Sequence, residues 1–272
     1  MHQRRRTIPL AQFRKFIEIV QRLRKECPWD RVQTHRSIRD MLIEESYEVV
    51  ETIDDRDYEG LKKELGDILL HVAMHSTIAE ESRAFTLREV LDEICRKLIH
   101  RHPHVFGRLS VRNAGEVKKN WEELKMAEGR TSVLEGIPRG LPALQQALRI
   151  QERASRVGFD WKRKEDVWEK ILEELNELKA TLRSRSKKRQ EEELGDFLFS
   201  VVNYARVTGI NPEGALRGTI RKFDGRFRFI EQELRARGKD VNNSTLKEMD
   251  ALWTKAKRVT RGKRALTRSG YR

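Results

Sequence analysis

Four acids in the second half of the chain are spaced to act together. Glu174 and Glu177 stand three residues apart, as do Glu193 and Asp196 in Glu-Leu-Gly-Asp. A three-residue step on a helix places both side chains on one face. Two such helices side by side would aim four carboxylates into one gap. That much negative charge is costly without a cation, and hard oxygen donors suit Mg²⁺, with Mn²⁺ as a substitute. The same pattern occurs earlier as Glu45, Glu48, Glu64 and Asp67.

The elements that must carry these acids are helices. Leu10, Phe13, Ile17, Val20 and Leu23 recur at three- and four-residue steps, which predicts an amphipathic helix ending near Cys27-Pro28-Trp29-Asp30. Further helices are expected at about 37–53, 58–79, 86–100 and 114–128. After the Gly- and Pro-rich stretch containing Gly136, Pro138, Gly140 and Pro142, they are expected at about 143–156, 165–182, 190–208, 212–237 and 245–259. No run of alternating apolar and polar residues competes with them, so the fold class is all-α.

A single offset of 129 residues relates Glu45 to Glu174, Glu48 to Glu177, Glu64 to Glu193 and Asp67 to Asp196. This agreement points to a duplicated module. The expected divisions are a first module over 8–128, a linker over 129–142, a second module over 143–258 and a basic tail over 259–272.

The helical wheels place the acids at the edge of the core. Val167, Ile171, Leu178 and Leu182 define one apolar arc, with Glu174 close to Val167. Leu194, Phe197, Leu198 and Val201 define the expected buried side of the next helix, with Glu193 and Asp196 flanking it. Glu45 falls inside the arc of Ile38, Met41, Leu42 and Val49. Carboxylates that lose water in this way need a metal or a cationic partner.

The chain is long enough for two domains, with 38% hydrophobic and 37% charged residues. No apolar run is long enough to span a membrane, and no apolar segment of signal-peptide type follows the basic N-terminus. Cys27 and Cys95 give neither a disulfide framework nor paired metal-ligand spacing, so a cytoplasmic protein is expected. The net charge is +14, but Arg4–Arg6 carry three positive charges, residues 183–189 five, and the stretch from Lys255 eight. The rest of the chain is nearly neutral, so basicity belongs to local segments and nucleic acid is a secondary candidate partner through the tail.

A carboxylate-bound Mg²⁺ cluster is suited to clamping phosphates and activating water. Phosphate substrates also need cations that position them. Lys222 and Arg226 are four apart on one expected helix, as are Lys97 and Arg101 in the first module; either pair can reach one polyphosphate. Trp253 and Lys257 form another such pair, mirrored by Trp121 and Lys125, and Trp253 either covers a nucleobase or caps the core. Glu173 and Glu192 adjoin the presumed ligands, but read best as exposed acids.

Pro103 interrupts His100, His102 and His104, so a helix-ending turn is expected there rather than zinc. His71 and His75 share a helix face and are expected to pack in a core or interface. There is no Gly-rich Lys-Ser/Thr loop of the P-loop kind.

With Cys27-Pro28-Trp29-Asp30, both acid sets, Arg101-His102-Pro103-His104-Val105-Phe106, Gly140-Leu141-Pro142-Ala143-Leu144 and Val157-Gly158-Phe159-Asp160-Trp161, the chain resembles the MazG family over about residues 10–258. This is the family of nucleoside triphosphate pyrophosphohydrolases with the all-α NTP pyrophosphatase fold. The resemblance implies Mg²⁺-dependent hydrolysis between the α and β phosphates of NTPs or dNTPs, broad base tolerance, ATP among the nucleotides bound, and a homodimer. It implies metal ligation by Glu174, Glu177, Glu193 and Asp196. Lys222 and Arg226 would hold the triphosphate, with Arg189, Trp253 and Lys257 as further nucleotide contacts. In two-module members the second module is generally the competent hydrolase. The first module here, with Glu45, Glu48, Glu64, Asp67, Lys97 and Arg101, offers a possible second site.

The expected chemistry is in-line attack by a metal-activated water, with nucleotide-pool control as the role. Alternatives are a narrower hydrolase of the dUTP/dCTP type, and a non-enzymatic helical module that binds nucleic acid.

Overall fold

The computed structural model describes residues 9–113, 115–117, 120, 124, 131–182 and 186–269, with 260–269 described as backbone only. Arg4–Arg6, Trp121, Lys125, Arg183, Arg185 and most of the expected helix at 114–128 lie outside the described residues. Within the described residues the chain is all-α, without strands. It divides into two compact units, residues 1–116 and 117–272.

Unit 1 contains α1 (Leu10–Glu26), α2 (Arg39–Asp55), α3 (Tyr58–Glu81), α4 (Leu87–Arg101) and a single turn, α5 (Pro103–Phe106). Helix α3 is central, packing against α1, α2 and α4. Its core joins Val20 of α1, Ile38 before α2, and Ala73, Met74 and Ile78 of α3, with Phe16, Ile17 and Leu70 around them. Local chemistry marks the helix starts. The Asp57 carboxylate accepts from the Gly60 amide at 3.0 Å, and Thr86 and Glu89 form a reciprocal capping box that opens α4.

Unit 2 repeats the order with α6 (Ala143–Arg156), α7 (Lys164–Thr181), α8 (Lys187–Val207), α9 (Pro212–Arg235) and α10 (Leu246–Ser269). Helix α8 packs against α6 and α7, as α3 packs against α1 and α2, and α9 pairs with α10. Val167, Ile171, Val202 and Ala205 are buried. A second cluster joins Ile230 and Leu234 of α9 to Leu252 of α10. Arg153 of α6 donates to the carbonyls of Val133 (3.1 Å), Glu135 and Gly136, fastening part of the expected linker to this unit. Helix α6 ends at Arg156 with Val157 as its C-cap, and Gly158 follows with φ +90°. A side chain is rarely tolerated in that conformation, which turns the chain into Phe159-Asp160-Trp161.

Three expectations need correction. Helix α8 starts at Lys187 rather than Gln190, because Ser186 caps it by accepting from the Arg189 amide at 3.4 Å. Helix α10 continues ten residues past 259, so the described part of the basic tail is helical. The apolar stripe Leu194, Leu198 and Val201 is exposed in the single chain, and Leu182 is 74% exposed. Spacing identifies a face that favours leaving water but does not say what covers it.

Candidate active site

Glu174 and Glu177 project from α7 and Glu193 from the facing α8. One carboxylate oxygen from each lies within 4.8 Å of those of the other two. Glu174 is 7% exposed, two helical turns beyond buried Val167, so the core arc of α7 carries it inward. Lost hydration, followed by repulsion from Glu174, Glu193 and Glu173, raises the Glu177 carboxyl above its ordinary range. Asp196, one turn beyond Glu193, lines a cavity beside Glu174. Asp196 is exposed and is not among the three whose oxygens gather. Three hard oxygen donors, mutually repelling and partly dehydrated, with Asp196 one turn along the same helix, fit an Mg²⁺-type cation.

Two cations already approach the cluster. Lys170 Nζ lies 2.8 Å from Glu173 Oε1 and 2.8 Å from Glu174 Oε1. Hydrogen bonds to Glu173 and Glu174 push its own pKa well above the usual lysine range. Arg189, at the start of α8, lies 3.9 Å from Glu193. Lys170 was not singled out by the sequence reading. Its signal was its position one turn before the Glu173–Glu174 pair, the spacing of a helical ion pair.

The cavity that adjoins Glu174 and Asp196 has a volume of about 260 Å³. Its walls come from α6 (Ile150, Gln151, Ala154), from the Phe159–Trp161 turn and from Phe199, Ser200 and Asn203 of α8. Arg206 fixes the turn to α8 through a two-pronged ion pair with Asp160, one arm at 3.0 Å. That guanidinium, with the Trp161 amide, holds the Asp160 carboxyl below the usual carboxylate range. Gln151 and the Asp160–Arg206 pair were also missed by the sequence reading, because only the packing of α6 on α8 brings them to the carboxylates.

The other expected substrate contacts form a separate group on α9 and α10. The Arg226 guanidinium stands 5.3 Å from the centre of the Trp253 ring, and Lys257 Nζ stands 5.9 Å from it. Trp253 packs against the Ile230–Leu234–Leu252 cluster and lines, with Phe223 and Phe227, a second cavity of about 270 Å³. Lys222 lies one turn before Arg226 on α9. None of Lys222, Arg226, Trp253 and Lys257 lines the cavity beside the carboxylates.

Unit 1 brings Glu45, Glu48 and Glu64 together in the same way, with oxygens within 4.8 Å of one another. Lost hydration, followed by the field of Asp67, raises the Glu45 carboxyl. The position corresponding to Lys170 holds Met41, so this cluster lacks that cation. Lys97 and Arg101 lie one turn apart on α4. His71 is buried, and His75 stacks on His35 with their Nδ1 atoms 2.8 Å apart. His102 ends α4, its Nδ1 lying 2.6 Å from the Leu98 carbonyl oxygen, which is the turn expected there.

The model of the MazG nucleotide pyrophosphohydrolase domain matches residues 33–106 and 162–228, which contain both acid clusters. The chain is 44% identical, over 250 residues, to the nucleoside triphosphate pyrophosphohydrolase/pyrophosphatase MazG of Thermotoga maritima, covering 90% of this chain and 95% of the relative. It is 39% identical over 258 residues to the nucleoside triphosphate pyrophosphohydrolase of Escherichia coli K12, covering 92% and 98%. It is 41% identical over 256 residues to the uncharacterized protein YabN of Bacillus subtilis, covering 92% of this chain and 52% of that protein.

Proposed function

The chain belongs to the MazG nucleotide pyrophosphohydrolase family, and from that premise we propose that it is an Mg²⁺-dependent nucleoside triphosphate pyrophosphohydrolase. It converts NTPs and dNTPs, with broad base tolerance, to the monophosphate and pyrophosphate, and so trims the nucleotide pool in the cytoplasm. The observation that carries this reading is the adjacency in unit 2 of a partly dehydrated carboxylate cluster and a cavity with aromatic walls. One suits metal-bound phosphates and the other suits a nucleoside.

Glu174, Glu177, Glu193 and Asp196 would hold the metal. Mg²⁺ there would supply positive charge to the phosphates and lower the pKa of a water. Lys170 neutralises Glu174 and is placed at the cluster's edge to meet a phosphate oxygen. Arg189 acts from the other helix. Lys222 and Arg226 hold the triphosphate, and Trp253 and Lys257 support them across the ring contacts described above. Phe159, 83% exposed, and Trp161, 47% exposed, offer flat surfaces at the cavity for the base.

Catalysis is assigned to unit 2, supported by Lys170 beside its acids where unit 1 has Met41. The protein acts as a homodimer, a reading supported by the apolar stripe of α8. Leu194, Leu198 and Val201 form an exposed row at helical spacing that a second copy would cover.

The test is product analysis on a panel of NTPs and dNTPs with Mg²⁺, for wild type, Glu45→Ala and Glu174→Ala. Pyrophosphate from several nucleotides, lost only with Glu174→Ala, is expected. Orthophosphate as the first product would overturn the reading, and activity confined to dUTP or dCTP would replace it with the narrower one.

A further inference from the structure

The wall of the cavity contributed by α6 contains one polar side chain whose chemistry nothing so far has used. Gln151 is 7% exposed. Its Nε2 donates to the Phe199 carbonyl of α8 at 2.8 Å. Its Oε1 is buried and has no hydrogen-bond partner, and among the described residues no other side chain of the cavity wall has a buried polar atom in that state. A buried carbonyl oxygen without a donor is costly, so it marks a place where a ligand group belongs.

The orientation of the amide is settled by its neighbour. A free glutamine can turn either its oxygen or its nitrogen toward a ligand. Here a flip would set Oε1 against the Phe199 carbonyl oxygen, two acceptors face to face. Gln151 is therefore locked as an acceptor and asks for a donor. Of the three parts of a nucleoside triphosphate, the phosphates have no N–H or O–H to give and belong with the metal and Lys170, and the sugar has hydroxyls only. The base carries N–H groups, and the exposed flat faces of Phe159 and Trp161 at this cavity suit it.

We propose that Gln151 Oε1 reads an N–H on the Watson–Crick edge of the bound nucleobase, making Gln151 the base-recognition residue of the unit 2 cavity. This rests on the reading of unit 2 as the nucleoside triphosphate site and deepens it. Each common base carries at least one such donor: the exocyclic amine of adenine or cytosine, the ring N–H of guanine, uracil or thymine. One fixed acceptor thus admits every common base while rejecting a base without any N–H, which would strand Oε1. Broad tolerance and a strict requirement then come from the same atom.

The test compares kcat/KM for ATP with purine riboside triphosphate, the same ring without its amine, and for UTP with 3-methyluridine triphosphate. Full-length protein with Mg²⁺ is used, as wild type, Gln151→Leu and Gln151→Met, with pyrophosphate as the readout. Wild type is expected to prefer the N–H-bearing member of each pair by about tenfold or more. Both variants should bring the ratios to within about twofold, by losing activity on ATP and UTP while retaining it on the analogues. Retained analogue hydrolysis also shows that the variants fold, and a merely structural glutamine would lower all four substrates together.

Wild-type ratios near one would overturn the proposal, as would ratios that persist in the variants or variants inactive on every substrate. Failure of wild type to release pyrophosphate from any nucleotide would instead overturn the reading beneath it.

Discussion

Replacing Lys170 by Met gives unit 2 the residue that unit 1 already has at Met41, and the structure sets the size of the effect. Lys170 is 2.8 Å from Glu174, whose side chain is 9% exposed, while the lysine side chain is 35% exposed. Removing one partner of a fully buried pair costs about 3–5 kcal/mol. An exposed pair contributes about 0–1 kcal/mol. Half-screened at its lysine end, this pair belongs between the two, at about 1.5 kcal/mol. For a unit of this size that is roughly 3–6 °C in melting temperature.

Mg²⁺ at the same carboxylates replaces the missing charge, so the penalty should appear in EDTA and shrink below ~0.5 kcal/mol in saturating Mg²⁺. Thermal and urea unfolding of wild type and Lys170→Met in the two solvents, followed by circular dichroism, measures it. An equal penalty in both solvents, or none in EDTA, would refute the placement of metal and Lys170 on one cluster.

Glu174→Gln and Glu193→Gln should each lower kcat/KM for ATP by about 10²-fold or more, whereas Glu45→Gln should leave it within about twofold, measured by pyrophosphate release. Arg206→Met frees the Phe159–Trp161 turn from α8. It should raise KM several-fold with less effect on kcat and cost about 1–3 kcal/mol of stability by urea titration. Glu248 opens α10, accepting from Lys239 Nζ at 2.6 Å and from Thr245, and these contacts hold its carboxyl down to about 2 from an ordinary 4.5. A depressed folded pKa means that the stability is present above about pH 4.5 and lost as pH falls toward 2. Urea midpoints of wild type and Glu248→Gln should therefore differ at pH 6 and converge near pH 2; a constant gap would refute the linkage.

Regular features of the fold could be read from spacing, because a helix repeats its geometry. The burial of Glu174 follows from Val167 and Ile171 on the same arc. The start of α8 did not follow, because Lys187, Lys188 and Arg189 place positive charge at a helix N-terminus, where the macrodipole opposes it. Ser186 outweighs that with a cap. The exposure of Leu194, Leu198 and Val201 was hidden for another reason. Apolar periodicity records that a face favours leaving water, and a partner copy satisfies it as well as the chain's own core. Gln151 was hidden most completely, since its meaning lies in a carbonyl 48 positions away.

The two modules share their acids, but the surroundings of those acids have diverged. At the offset of 129, Lys170 corresponds to Met41, Ser200 to His71, Asn203 to Met74 and Arg206 to Thr77. Ser200, Asn203 and Arg206 line the unit 2 cavity. Met74 instead joins the unit 1 core beside Val20 and Ile38, and His71 is buried, its pKa lowered by that burial. Three carboxylates on two paired helices suffice to attract a divalent ion, but a nucleoside also needs the space that Met74 and His71 occupy. The chain should therefore bind metal at both clusters and nucleotide at one. Calorimetric titration should give one non-hydrolysable ATP analogue per chain, with Mn²⁺ binding reduced separately by Glu45→Gln and by Glu174→Gln. Two nucleotides per chain of comparable affinity would show that the filled positions of unit 1 do not exclude substrate, and that the carboxylates alone define the site.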